Sequence, residues 1–294
     1  MSCEPTWEGW KELGPPNPEI ICFYHANCVD GAASAAVIQK KYPKALSVPM
    51  THGDPIEHSV RGKKVFIVDF SFDADTLKKL KDEAKEVHWY DHHKTSIPIH
   101  EALGWGVIDL SESGASLTWK REYPGKELPR ILAYVRDKDI WEWKLPKSRE
   151  INMALRERED IHDPKGSTWQ TLLDHLTEED FQQMTEIGAR ALRSQRLRML
   201  EGAQKAFEVD FHGHKALAVN WSLESSEMGE YIYKELGYEI AIIFNYTGQN
   251  WSFSLRSDRL DTSHLAKTYG GGGHPGASGF RTDDIEWLMK LKKT

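Results

Sequence analysis

Cysteine is scarce in this chain of 294 residues: there are three, Cys3, Cys22 and Cys28, all near the start. An odd number crowded at one end makes no disulfide framework and suits a reducing cytoplasm. Long apolar runs are lacking too, so no stretch has the length to span a membrane, and segment 1–18 is too polar and too rich in Trp and Pro for a signal peptide. Basic charge is in deficit. With 38 Lys and Arg against 45 Asp and Glu the formal net charge is -7. That balance argues against a protein that coats long duplex nucleic acid, because such affinity comes from neutralising phosphates. There is no internal repeat, and the four glycines at 270–273 lack the following Lys-Ser/Thr that would make them a nucleotide P-loop.

What the chain does have is enough apolar and aromatic material, 39% and 11%, for packed cores. Its length makes two domains the default expectation. A strand, loop and helix grammar recurs in the first half. EIICFY ends at His25 before a small-residue helix; KKVFIVDF ends a strand at Asp69; DADTLKKLKDEA is an amphipathic helix; EVHWY runs straight into Asp91. Alternating strands and helices predict a parallel sheet covered by helices, and in such sheets ligands gather where strands end at their carboxyl termini. Further helices are expected around Ser113 to Tyr123 and Leu128 to Arg136, then a charged helical stretch from Ser167 to about Phe207. New strands, KALAVNW, YEIAIIFNY and WSFSLRS, predict a smaller second α/β unit. The expected boundaries are an extension at 1–18, a first domain at 19–147, a helical connector at 148–206 and a second domain at 207–294.

Four separated places offer metal ligands: His25 with Asp30, Asp69, the triplet Asp91-His92-His93, and Asp137 with Asp139. Mixed imidazole and carboxylate sets suit Mn, Fe, Zn or Co, and Mg less well. Two cations held together need a bridging carboxylate, and Asp69 is the candidate. Consecutive side chains in the triplet point apart, so His92 is read as a ligand and His93 as the residue that meets substrate.

The triplet in WYDHHKT, together with YHANCVDGAASA, VDFS, RDKDIW and GGGGHPGASGF, resembles the DHH phosphoesterase family, in the subfamily with an attached DHHA1 domain, over roughly Glu19 to Phe280. The resemblance implies a two-metal, manganese-type hydrolase with an N-terminal DHH catalytic domain, a helical connector and a C-terminal DHHA1 substrate-binding domain. It places metal ligands at His25, Asp30, Asp69, Asp91, His92 and Asp137, and leaves Asp139 to a salt bridge or to a contact that supports the ligands. Asp91 and His93 are the expected catalytic pair. Family members commonly carry two acidic residues in the first motif, whereas here Asn27, Cys28 and Val29 precede a single Asp30. Asn27 either supplies an amide oxygen or only shapes the loop, and one of the two ions is expected to bind weakly. Cys28 is assigned a packing role.

At the substrate end, Gly271, Gly272 and Gly273 are read as a backbone cradle for an anion, with His274 adding a donor and Arg256 clamping a phosphate through two oxygens. Ser113 either caps its helix or marks a phosphate-holding N-terminus. Trp141 and Trp143 either line the cleft or belong to the core with Trp89 and Trp119. The expected activity is hydrolysis of short oligonucleotides or small nucleotides, with Mn and with Mg or Co as substitutes. Alternatives are an exopolyphosphatase, a nucleoside 3',5'-bisphosphate phosphatase, or a non-catalytic nucleotide sensor. The expected setting is the cytoplasm, with a small phosphate ester as partner, no long duplex and no membrane, and with a homo-oligomer compatible.

Overall fold

A computed structural model describes residues 18–291, in two compact units that divide between Leu192 and Arg193. The extension expected at 1–18, with Cys3 in it, lies outside the described residues except for Pro18. In the first unit the elements run β1 (Ile20–His25), α1 (Val29–Lys41), β2 (Leu46–Met50), β3 (Lys64–Val68), α2 (Ala74–Glu83), β4 (Glu86–Asp91), α3 (Ile97–Leu103), β5 (Val107–Ile108), α4 (Gly114–Glu122), α5 (Arg130–Asp139), α6 (Ser148–Arg156), α7 (Ser167–Asp174) and α8 (Glu178–Ala203). The unit division falls inside α8.

All five strands pair in parallel, in the order β2-β1-β3-β4-β5. Both faces of this sheet are covered, which is why its strands are near-continuous apolar runs. Alternate residues go to opposite cores. Ile21, Phe23, Val65, Ile67 and Trp89 pack with Leu77 and Leu80 of α2 on one face. Cys22, Tyr24, Phe66, Val68 and Tyr90 pack with α1, α4, α5 and α7 on the other. Helix α1 is buried from Asp30 to Gln39, and its alanines and serine let it lie between the sheet and its neighbours. Asp73 caps α2 by accepting from Asp75 and Thr76 N–H groups.

The strand order reverses at β1: the chain leaves to β2 on one side and returns to β3 on the other. A crevice at the carboxyl ends of the strands flanking such a switch is the usual ligand position in open α/β sheets. His25 ends β1, Asp69 comes directly after β3, and Asp91 ends β4. Two glycines permit the close packing there. A Cβ on Gly31 would lie 2.2 Å from the His25 carbonyl oxygen, and one on Gly114 would lie 2.4 Å from the Asp69 Cβ.

The second unit contains β6 (Phe207–Phe211), β7 (His214–Asn220), α9 (Ser225–Glu230) continued by a π turn, β8 (Ile240–Tyr246), β9 (Trp251–Arg256), α10 (Thr262–Thr268), β10 (Gly272–His274), β11 (Ala277–Thr282) and α11 (Glu286–Lys290). Its sheet order is β10-β11-β9-β8-β7-β6, antiparallel except for the β7 and β8 pair. One face packs Phe253, Leu255 and Phe280 on α10 and α11. Over part of the other, Val219, Ala241 and Ile243 pack on Met228 and Ile232.

The tight approach at Gly31 yields a prediction of sign. In an ordinary helix Gly→Ala stabilises by about 1 kcal/mol. Gly31→Ala should instead destabilise, by about 1–3 kcal/mol as for other overpacked sites, whereas Gly272, whose Cβ would meet nothing within 4 Å, should tolerate alanine. Urea unfolding midpoints decide it, and a stabilised Gly31→Ala protein would contradict the packing described.

Candidate metal centre

The strand ends deliver three imidazoles and several carboxylates to one place. Asp69 adopts a left-handed backbone, with φ of 54°, a conformation that Asp tolerates better than most residues. Its buried carboxylate reaches both ways. Oδ1 lies 3.1 Å from His92 Nε2, and Oδ2 lies 3.6 Å from His25 Nδ1. His92 Nε2 also lies 3.1 Å from Asp139 Oδ2 and 3.7 Å from Asp30 Oδ2.

Asp30, in the first turn of α1, accepts the N–H groups of Gly114 at 2.6 Å and Ala115 at 3.0 Å. The N-terminus of α4 is thereby spent on a protein carboxylate. Ser113 caps that helix in a reciprocal capping box with Ser116 and is wholly buried. Of the two readings of Ser113, the structure takes the cap.

Asp91 has five donors on two oxygens. Oδ1 accepts His92 N–H at 2.7 Å, His93 N–H at 3.2 Å and lies 2.7 Å from His93 Nδ1. Oδ2 accepts the hydroxyls of Ser71 and Ser96. A carboxylate offers about four lone-pair sites, so Asp91 is saturated by the turn that it organises. These hydrogen bonds give Asp91 a positioning role toward His92 and His93, and its carboxylate also lies with Asp69, His92 and His93 in a group close enough to hold a cation. Ser71 and Ser96 were not anticipated, and VDFS, with Ser71 two residues beyond Asp69, is the local signal for one of them.

The fourth motif also differs from expectation. Asp137, expected as a ligand, is buried with its oxygens accepting the N–H groups of Lys144 at 2.8 Å and Leu145 at 3.2 Å. It ties down the turn after α5. Asp139, two residues on, is the one brought to His92 and Asp30. Helical phase explains the exchange, since residues two apart on a helix face different ways. Trp143 is packed between the ring of Trp141, 5.0 Å away, and the guanidinium of Arg149, 4.2 Å away, which makes it part of that turn. Asn27 is exposed and left-handed, with φ of 55°; of its two readings, it shapes the loop.

Metal-ligating atoms form three overlapping groups, and in the first those of Asp69, Asp91, His92 and His93 lie within 4.8 Å of one another. Those of His25, Cys28 and Asp69 lie within 4.8 Å of one another, as do those of Asp30, His92 and Asp139. Such crowding of acids perturbs titration. Burial, then the charges of Asp69 and Asp139, raise Asp30 well above the ordinary carboxylate range. Burial raises Asp69 too, but the facing His25 and His92 outweigh it and hold that carboxyl low. Burial opposes the charge of His92, yet Asp69, Asp139 and Asp30 together push its pKa up to about 10. His93 is likewise raised, because Asp91 outweighs its burial.

The residues fit divalent cations. Asp69 Oδ2 is buried without a hydrogen-bond partner, and a carboxylate oxygen in that state is costly unless a positive charge completes it. Carboxylate and imidazole donors in this proportion suit Mn, Fe, Zn or Co.

In the second unit Gly272 and Gly273 lie in a strand, and Gly271 directly precedes it. Gly272, Gly273 and His274 pair with Gly279, Ser278 and Ala277. Gly271 and Gly273 are required by that pairing, since a Cβ would lie 2.1 Å from the Gly279 carbonyl oxygen and 2.6 Å from the Ser278 Cα. Gly272 is under no such constraint and instead lines a cleft of about 360 Å³ with Ser252, Ser254, Arg256, Gly279 and Arg281. Arg256, expected as a two-oxygen clamp, is held at that cleft by its own protein partners. Four hydrogen bonds commit it to Ser225, Ser226, Leu255 and Ser278.

Residues 215–294 match the family model of the DHHA1 domain. By sequence the chain is 26% identical to uncharacterized protein R106 of Acanthamoeba polyphaga mimivirus, over 93% of this chain and 70% of that protein. It is 23% identical to oligoribonuclease NrnB of Bacillus subtilis (strain 168), over 91% and 74%. By structure it is similar to a pGpG-specific phosphodiesterase, PggH, from Vibrio cholerae, with a TM-score of 0.55 at 16% identity, covering 92% of this chain and 95% of that one.

The raised His92 predicts a pH effect of definite sign in chelator-treated protein. A cationic imidazole held above its unfolded value stabilises fully below about pH 6.5. That contribution is lost as pH rises through about 10. Unfolding midpoints in chelator should therefore fall between pH 7 and pH 10, and His92→Gln should flatten the fall. An equal fall in the variant would show that other groups cause it.

Proposed function

We propose that this chain, whose residues 215–294 match the DHHA1 domain and whose sequence is similar to an oligoribonuclease, is a DHH/DHHA1-type metal-dependent hydrolase of short oligonucleotides or small nucleotides. One observation carries the reading: Asp69 turns one oxygen to each of two donor groups, which is the arrangement two neighbouring cations require. When bound, such a pair lowers the pKa of an attacking water and neutralises phosphoryl oxygens. His25 would hold one cation, and Asp30, His92 and Asp139 the other.

The remaining work falls to this chain's own groups. Asp91 fixes His93 through Nδ1, leaving Nε2, on a side chain one-third exposed, to meet a phosphate oxygen. A protonated His93 there donates a hydrogen bond and can hand a proton to the leaving oxygen. In the second unit, Ser252, Ser254, Gly272, Gly279 and Arg281 are among the residues that line the cleft. Small residues let a substrate's phosphate approach backbone, and the arginine supplies the charge. The same reading takes manganese as the metal and the cytoplasm as the setting.

Among substrates the reading favours short single strands or dinucleotides over long polyanions, in keeping with the acidic chain. Purified protein with Mn should release mononucleotides from RNA of two to five nucleotides, and turn over polyphosphate and a nucleoside bisphosphate more slowly. Asp139→Asn should cut turnover by about 100-fold or more without altering the unfolding midpoint by more than a fraction of that seen for Asp137→Asn, which strips the turn after α5 of its acceptor. No turnover of any of the three substrates with Mn, Co or Mg would refute the enzymatic reading and leave a nucleotide-binding sensor.

A further inference from the structure

The first loop of the site is short of negative charge. Between His25 and the helix α1 it offers one carboxylate, Asp30, and both oxygens of that group are drawn to the N-terminus of α4. On the His25 side of Asp69 the ligand group is His25, Cys28 and Asp69, which holds no second carboxylate. A dication held by a neutral imidazole and one oxygen of a shared carboxylate would be undercompensated. The thiol of Cys28 is the group in place to supply the missing anion.

Several observations separate Cys28 from an ordinary packed cysteine. It belongs to neither apolar cluster of its unit, whereas Cys22 lies wholly inside one. It occupies the N-cap position of α1 yet makes no side-chain capping bond, so it does not stand there as a substitute for Ser or Asp. It is reduced and only half-buried. Its sulfur lies within 4.8 Å of a carboxylate oxygen of Asp69, whose Oδ2 is buried without a hydrogen-bond partner.

Building on the two-cation reading, we propose that the Cys28 sulfur is a metal ligand, so that the two cation positions differ in kind. The position on the His25 side carries sulfur, nitrogen and oxygen donors; the position on the His92 side carries nitrogen and oxygen only. Thiolate is a soft donor that binds Zn and Co in preference to Mg and Ca. The first position is accordingly selective for borderline cations, while the second accepts hard ones. Binding displaces the thiol proton to solvent, with no change in oxidation state.

Cobalt titration of the metal-free full-length protein tests this without reference to activity. Cobalt bound by thiolate shows a near-ultraviolet charge-transfer band, whereas cobalt bound by nitrogen and oxygen alone shows only weak visible bands. Wild type should show both. Cys28→Ser and Cys28→Asp should lose the ultraviolet band and keep the visible ones, and a Cys3→Ser, Cys22→Ser protein should keep both. Cys28→Asp should also lower the ratio of Zn to Mg affinity, by about tenfold or more, given that even loss of an outer partner costs roughly 10–100-fold. Visible bands without the ultraviolet band in wild type, or an ultraviolet band that survives Cys28→Asp, would overturn the sulfur ligand while leaving the cation centre intact. If no cobalt binds wild type at all, the centre itself is refuted, and the inference with it.

Discussion

Acidic groups buried at close quarters set every other feature of this site. Asp30, Asp69 and Asp91 are each at most 1% exposed, and Asp139 joins the first two around a single imidazole nitrogen. Like charges so placed repel one another and lose hydration, and both penalties grow as the surroundings become less polar. The protein alone meets them in part: α4 donates to Asp30, the Asp91 turn donates to Asp91, and His92 is held as a cation. What is left over is Asp69 Oδ2, 3.6 Å from His25 Nδ1 and without a hydrogen-bond partner. Divalent cations answer that remainder, and the same excess of negative charge that strains the metal-free protein becomes the binding energy of the loaded one.

The fold keeps this arrangement rigid by placing small residues where bulk would open it. Gly31 and Gly114 bring α1 and α4 onto the strand ends, and the alanines of α1 let that helix sit buried between sheet and neighbours. Asp91 shows the same logic in hydrogen bonds. By gathering the backbone of His92 and His93 with two serine hydroxyls, it converts a loop after a strand into a fixed mount for two imidazoles of different duty. Positioning of this kind is what separates a cluster of ligands from a site able to orient a reaction.

Much of this is legible in the residues. Periodicity predicts the strand-and-helix grammar of the first half and the parallel sheet, and the residues that close each apolar run, His25, Asp69 and Asp91, predict the gathering at strand ends. The partition of roles within motifs is not legible. Asp137 and Asp139 are indistinguishable in RDKDIW until helical phase is known, and phase depends on where α5 packs. Asp91 reads as a ligand by residue type, but its saturation depends on Ser71 and Ser96, remote in sequence or hidden in a 3₁₀ turn. Gly271, Gly272 and Gly273 read as an anion cradle and not as strand, because glycine disfavours strands; pairing with β11, a tertiary effect, makes strand of Gly272 and Gly273. Cys28 reads as a packing residue by type alone, while its place beside His25 and Asp69 is a matter of loop geometry.

The central claim is that these remote groups hold a pair of cations around Asp69. Anomalous diffraction from a crystal of the manganese-loaded protein tests it most directly. Two peaks about 3.5–4 Å apart, both within bonding distance of the Asp69 carboxylate, one flanked by His25 and the other by His92 and Asp139, are the predicted result. A single peak that does not touch Asp69, or no peak at the strand ends, would contradict the account.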